Sequence, residues 1–199
     1  YNTLIVGSSR AESHFAPRII DSIARLNSYN IGIEGASIPL MLGVFDAYLA
    51  NSKPPEYVVV HIDIDVVILK TINRFPRYFP YLGNERLFKS LNKIDPRFFW
   101  FKYIPFYSQP FMNESYVNSC LRGYFGVKNE FDRSFYKGHA PVYIELKEDL
   151  DSVDYPLRST PVENGTFESL DSIITICKRN KSKMIFVVSP MYYRKLNVL

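Results

Sequence analysis

The residues best suited to chemistry are Gly7-Ser8-Ser9-Arg10, which directly follow the apolar run Leu4-Ile5-Val6. With that run as a strand of a parallel sheet and a helix after it, Ser9 stands where the strand ends and helix amides lack partners. Such N–H groups hold an anion, or the oxyanion that forms when a hydroxyl adds to a carbonyl. Ser9 is therefore either a nucleophile or the cap of the next helix. A second corner, Glu34-Gly35-Ala36-Ser37, follows another short apolar stretch. Glycine there leaves its own amide open to approach, because it has no Cβ, or else only permits a turn. A third apolar run, residues 57–62, leads to Asp63 and Asp65. An ionised Asp63 accepts hydrogen bonds and donates none, so beside an oxyanion it repels unless protonated; otherwise it orients a polar network. Arg10 offers a guanidinium for a substrate carboxylate or phosphate, or for a surface ion pair.

The histidines are His14, His61 and His139. His14 reads as a residue of the first helix. His61 ends the third strand and so lies near the candidate site, where a buried, hydrogen-bonded role competes with contact to substrate. His139, in Lys137-Gly138-His139-Ala140-Pro141, could fold over the site or serve only its own loop. None has metal-ligand spacing, so neither a metal nor another cofactor is expected. Cys120 and Cys177 form no disulfide framework, and Cys177 falls in an apolar helical stretch as an inert core residue.

The elements that must carry these groups follow from periodicity. Strands are expected over Thr3–Val6, Tyr29–Ile33, Tyr57–Ile62 and Lys183–Val188, the last two as strands of the buried core. Phe15, Ile19, Ile20, Ile23 and Leu26 predict an amphipathic helix facing a sheet. Helices are also expected from about Pro39 to Ala50, with proline in the first turn, and from Glu163 to Asn180, with Phe167, Leu170, Ile173, Ile174 and Cys177 inward. Strand and helix alternating at this spacing predict an α/β fold with a doubly wound parallel sheet. Between about 71 and 161 the rhythm lapses into Pro, Tyr, Phe and Asn, with short elements such as Asn84–Leu91 and Val142–Leu146. This reads as an ordered insertion after the third strand, its rings filling a subdomain core or lining a groove for a sugar or acyl chain.

In a chain of 199 residues, 47% hydrophobic and 22% charged, this amounts to one soluble globular domain with an insertion. A net charge of +4 with scattered basic residues argues against nucleic acid. No run reaches the roughly 18 apolar residues of a bilayer span. The three Asn-x-Ser/Thr matches, at Asn113, Asn164 and Asn180, are no more than chance supplies.

Gly7-Ser8-Ser9 resembles the Gly-Asp-Ser block of the SGNH (GDSL-like) hydrolases, with Ser8 in place of the Asp. Residues 30–37 resemble the second block, whose glycine supplies an oxyanion-hole N–H. His61-Ile62-Asp63-Ile64-Asp65 matches the third, Gly-x-Asn-Asp, in position only. The resemblance covers about half the chain. It implies a three-layer, flavodoxin-like sheet of the SGNH type, one domain over 1–199, and a serine esterase or acyltransferase for O-acyl groups such as glycan O-acetyl groups. Ser9 would be the nucleophile, the Ser9 and Gly35 amides the oxyanion hole, and Asp63 the third-block residue; Arg10, His61 and His139 are the candidates for substrate contact from their own positions in the sequence. The family's C-terminal Asp-x-x-His pair, in which His is the base, does not occur in these residues. A shortened chain that lacks the last strand and catalytic loop is the expectation, against a member without the usual base. The family also implies an exported or membrane-tethered domain, with any tether outside this chain.

Two other readings stand beside it. One is a non-catalytic module of the same fold that binds a glycan or a protein. The other takes Gly7-Ser8-Ser9-Arg10 as a phosphate-binding turn, although the glycine spacing of dinucleotide and P-loop sites is missing.

Overall fold

In the computed structural model, four strands form one all-parallel sheet in the order β2-β1-β3-β4, the order of a flavodoxin-like sheet. The structure describes residues 1–62, 72, 75–112, 117, 118, 121, 122, 124–126, 136–142, 162 and 165–190. The strands are β1 (Thr3–Val6), β2 (Ser28–Asn30), β3 (Tyr57–His61) and β4 (Lys183–Val187). The helices are α1 (Ser9–His14), α2 (Pro17–Ala24), α3 (Ile38–Asn51), α4 (Glu85–Ile94), α5 (Arg97–Tyr103) and α6 (Thr166–Arg179).

Alternation along the strands separates the two faces. Leu4, Val6, Val58 and Val60 point into a buried apolar core with Ile38, Met41 and Phe45 of α3, Leu87 and Leu91 of α4, and Ile173 and Cys177 of α6. The other parity carries Ile5, Gly7 and His61, and α1 lies on it. A Cβ on Gly7 would overlap the Ala11 side chain and come within 2.9 Å of the His61 Cβ. Gly7 is therefore small because a helix passes directly over it. Gly43 does the same between helices: a Cβ there would overlap Ser90, so α3 and α4 approach closely.

Strands one to three and the helix after the second match the expected positions to within three residues, the second strand ending at Asn30 instead of Ile33. The short element expected over 84–91 is a helix, α4, capped by the Asn84 side chain, which accepts from the Arg86 and Leu87 N–H groups at 3.1 Å each. Three expectations fail. The predicted apolar face of the first helix is only partly turned inward: Phe15 reaches His61 of β3, but Ile19 and Ile23 are exposed, Ile23 at 79%. α2 is held instead by its polar side, where Asp21 accepts from the Ser28 N–H at 2.7 Å and the Ser28 hydroxyl at 2.6 Å. β4 is an edge strand among the described strands, not a core strand: Ile185 and Phe186 are each 47% exposed, since pairing with β3 protects one edge only. Phe167, expected inward, is exposed in the first turn of α6. In the stretch 142–146 only Val142 is described, and it is exposed and in no strand.

Candidate functional site

In a sheet of order 2-1-3-4 the chain winds outward in both directions from β1 and β3. The crevice above their C-terminal ends is where doubly wound folds place ligands. Ser8 and Ser9 follow β1 at this point, and His61 and Ile62 end β3. Ser8 occupies the N-cap position of α1, its side chain makes no capping bond, and it is buried. Ser9 is the first helical residue and exposed. The capping alternative for Ser9 therefore does not apply.

Hydrogen bonds carry the β1–β2 ladder past its named ends: the Ile31 N–H donates to the Ile5 carbonyl at 2.8 Å, and the Ile33 N–H to the Gly7 carbonyl at 3.1 Å. Gly35 lies in the turn that follows this extension, at the same C-terminal edge of the sheet as Ser9. Gly35 has φ +71° in a tight turn closed by the Ala36 N–H on the Ile33 carbonyl at 3.0 Å. A side chain would strain that backbone, which is why glycine stands there. The turn is fixed to α1 by Glu12, whose carboxylate accepts the Glu34 N–H at 2.9 Å. Glu12 is three residues from Ser9, so both lie on one side of α1. Among the described residues neither the Ser9 nor the Gly35 N–H has a hydrogen-bond acceptor. Two open amides and an exposed serine thus lie at the C-terminal edge of the sheet.

Asn30, buried below the corner, braces α1. Its amide nitrogen donates to the Ala11 carbonyl at 2.7 Å and the Phe15 carbonyl at 3.0 Å, and its oxygen accepts the Gly32 N–H at 2.8 Å. Neither Asn30 nor Glu12 was legible as a functional candidate, because each acts on backbone groups distant in sequence.

The histidines go elsewhere. His61 is fully buried, its ring meets Phe15 edge-on with centroids 5.6 Å apart, and Nε2 accepts the Ser189 N–H at 3.2 Å. It holds β3, β4 and α1 together and has no surface to offer a substrate. His14 Nδ1 lies 3.3 Å from the Ser189 hydroxyl, beyond the end of β4, a contact without any sequence signal. His139 Nε2 is 3.0 Å from the Ser13 carbonyl. Its segment is pinned beside α1 and α2: the Ala140 N–H donates to the Glu12 carbonyl at 3.0 Å, and the Asn30 N–H to the Lys137 carbonyl at 2.9 Å. Lys137 and Gly138 both have positive φ, as a two-residue hairpin turn requires, and Lys137 Nζ reaches Asp21 at 2.6 Å and Asn27 at 2.8 Å. Burial raises the Asp21 carboxyl, but the Lys137 and Ser28 hydrogen bonds outweigh it and leave its pKa below the ordinary value. The hydrogen bond to Asp21 raises Lys137.

Arg10 is half-buried next to Ser9. Asp63 and Asp65 lie outside the described residues, as does Cys120. Burial pushes the Cys177 thiol up to about 11, in keeping with an inert core residue. No group of His, Cys, Asp and Glu able to hold a metal occurs among the described residues. A groove of about 500 Å³ lies across α3, α4 and α6, lined by Asp46, Ser90 and Arg179 among others, and includes none of the corner residues.

These features define an α/β protein with a parallel, doubly wound sheet and a serine just beyond the C-terminal end of β1. No family model, curated protein or solved structure matches the chain.

Proposed function

We propose that this chain is an SGNH-type serine esterase or acyltransferase for O-acyl groups, those of a glycan among them. The observation that carries this reading is an exposed Ser9 at the switch point of a parallel sheet, with the Ser9 and Gly35 N–H groups open at the same sheet edge. The Ser9 oxygen adds to the acyl carbonyl carbon, its proton passes to a general base, and the two amides hold the oxyanion. Each such donor stabilises the transition state by about 3 kcal/mol. Collapse of the adduct expels the alcohol, which takes the proton from the base. Water or an acceptor hydroxyl then removes the acyl group from Ser9 and restores the enzyme. The accompanying fold reading is the SGNH variant of the doubly wound domain, with residues 71–161 inserted after the third strand.

A second reading is favoured by the histidines. His14, His61 and His139 are each engaged away from Ser9, and among the described residues none hydrogen-bonds its hydroxyl. A domain that keeps the corner but lacks a base would bind a glycan or protein without turnover. An active-serine phosphonate probe separates the two. The esterase reading expects an adduct on the peptide containing Ser9, abolished by Ser9→Ala. Absence of label at Ser9, with acyl-ester hydrolysis unaffected by Ser9→Ala, overturns it in favour of the binding module.

A further inference from the structure

The chain's single tryptophan is on the surface. α5 has the sequence Arg-Phe-Phe-Trp-Phe-Lys-Tyr, and its two faces are both aromatic. Phe98 and Phe101 are buried, whereas Phe99, Trp100 and Tyr103 face outward and are followed by exposed Ile104, Phe106 and Tyr107. Ring contacts make this one continuous surface: Phe99 lies 5.3 Å from Trp100 and 4.9 Å from Tyr103, and Trp100 lies 6.5 Å from Tyr107. Phe106 is 75% exposed although its φ is +64°, a backbone region that favours glycine. Among the described residues, no ring contact of Phe106 offsets either its strain or its exposure. Residues 85–111 hold five Lys and Arg against two Asp and Glu, which accounts for three of the chain's net +4 charges. Asp95 pairs with Arg97 at 2.6 Å, Glu85 with Lys102, and Arg86 with Asp46 of α3 at 2.6 Å, which leaves Lys89 and Lys93 of the adjoining α4 as the cations of this segment without an ion pair among the described residues.

We propose that this surface docks on an anionic lipid bilayer. Trp and Tyr beside purely apolar side chains suit the boundary between headgroups and acyl chains, and basic residues around them suit anionic headgroups. No described helix is long and apolar enough to cross a membrane, so the contact is peripheral. The charge argues against a second copy of the chain, since a two-fold contact through this patch would set its positive charges against themselves. A glycan would be met by rings flanked with free carboxylates or amides, not by Phe99, Ile104 and Phe106. The inference does not rest on the role of Ser9.

Trp100 makes the test direct, because all tryptophan emission comes from the patch. Titration with phosphatidylcholine vesicles containing roughly one-third phosphatidylglycerol is expected to shift the emission to the blue and to pellet the protein with the lipid, less so at high salt. Phe106→Gly, which relieves the strained backbone and should leave the far-UV circular dichroism unchanged, is expected to weaken vesicle binding about tenfold. Unchanged emission without sedimentation overturns the proposal. So does equal binding to vesicles of phosphatidylcholine alone, a shift produced instead by a soluble oligosaccharide, or one that follows protein concentration as a dimer would.

Discussion

The two faces of the sheet are held by different physics. Beneath α3, α4 and α6 the contacts are almost all apolar, and residues such as Leu91, Phe98 and Ile173 are fully enclosed. Beneath α1 and α2 the burial is thinner, and the joints are polar: Asn30 on three backbone groups, Asp21 on Ser28 and Lys137, His61 on Ser189, Glu12 on Glu34. The first face can absorb change in one side chain by exchange for another apolar group of similar volume. The second depends on directed bonds that fix where Ser9 and Gly35 stand. Stability resides mainly on one side, and the geometry of the corner on the other.

Substitutions on each face sharpen this contrast. Phe45→Ala on the apolar face should have the largest effect, about 4 kcal/mol of lost stability by denaturant unfolding, because the ring is fully enclosed. Phe45→Leu should recover much of that loss. Asn30→Ala should lose about 2 kcal/mol, the typical effect of leaving buried backbone groups without their partner. Here the nearly isosteric Asn30→Asp should not recover it, since a carboxylate cannot donate to the Ala11 and Phe15 carbonyls. Equal rescue on both faces would erase the distinction.

The Asp21–Lys137 bond gives the smallest effect, roughly 1 kcal/mol for Lys137→Met, and a pH signature. The folded pKa of Asp21 lies below its ordinary 3.8, so its contribution is present above about pH 4 and lost as pH falls through the folded value. That of Lys137 lies above its ordinary 10.5, so its contribution is present below that pH and lost as pH rises through the folded value. Denaturation midpoints of the parent and Lys137→Met should therefore differ between about pH 5 and 10 and converge at both extremes. A pH-independent difference would mean that Lys137 acts by packing alone.

The sequence by itself determined the parallel α/β arrangement, since near-continuous β-branched runs such as Tyr57–Ile62 with helices between them leave few other ways to bury both faces of a strand. It also located Ser9 and Gly35 at strand ends, because local turn chemistry marks such corners. It misjudged α2, β4 and Phe167, where apolar spacing suggests burial but only neighbours can supply it. Exposed Ile23 and Phe186 have the same sequence signal as buried Ile5. The Glu12 and Asn30 bonds that fix α1 and the Gly35 turn, and the partners of the three histidines, were decided by tertiary structure alone. Each depends on groups that meet only after the chain has crossed the sheet, and no local pattern encodes such a meeting.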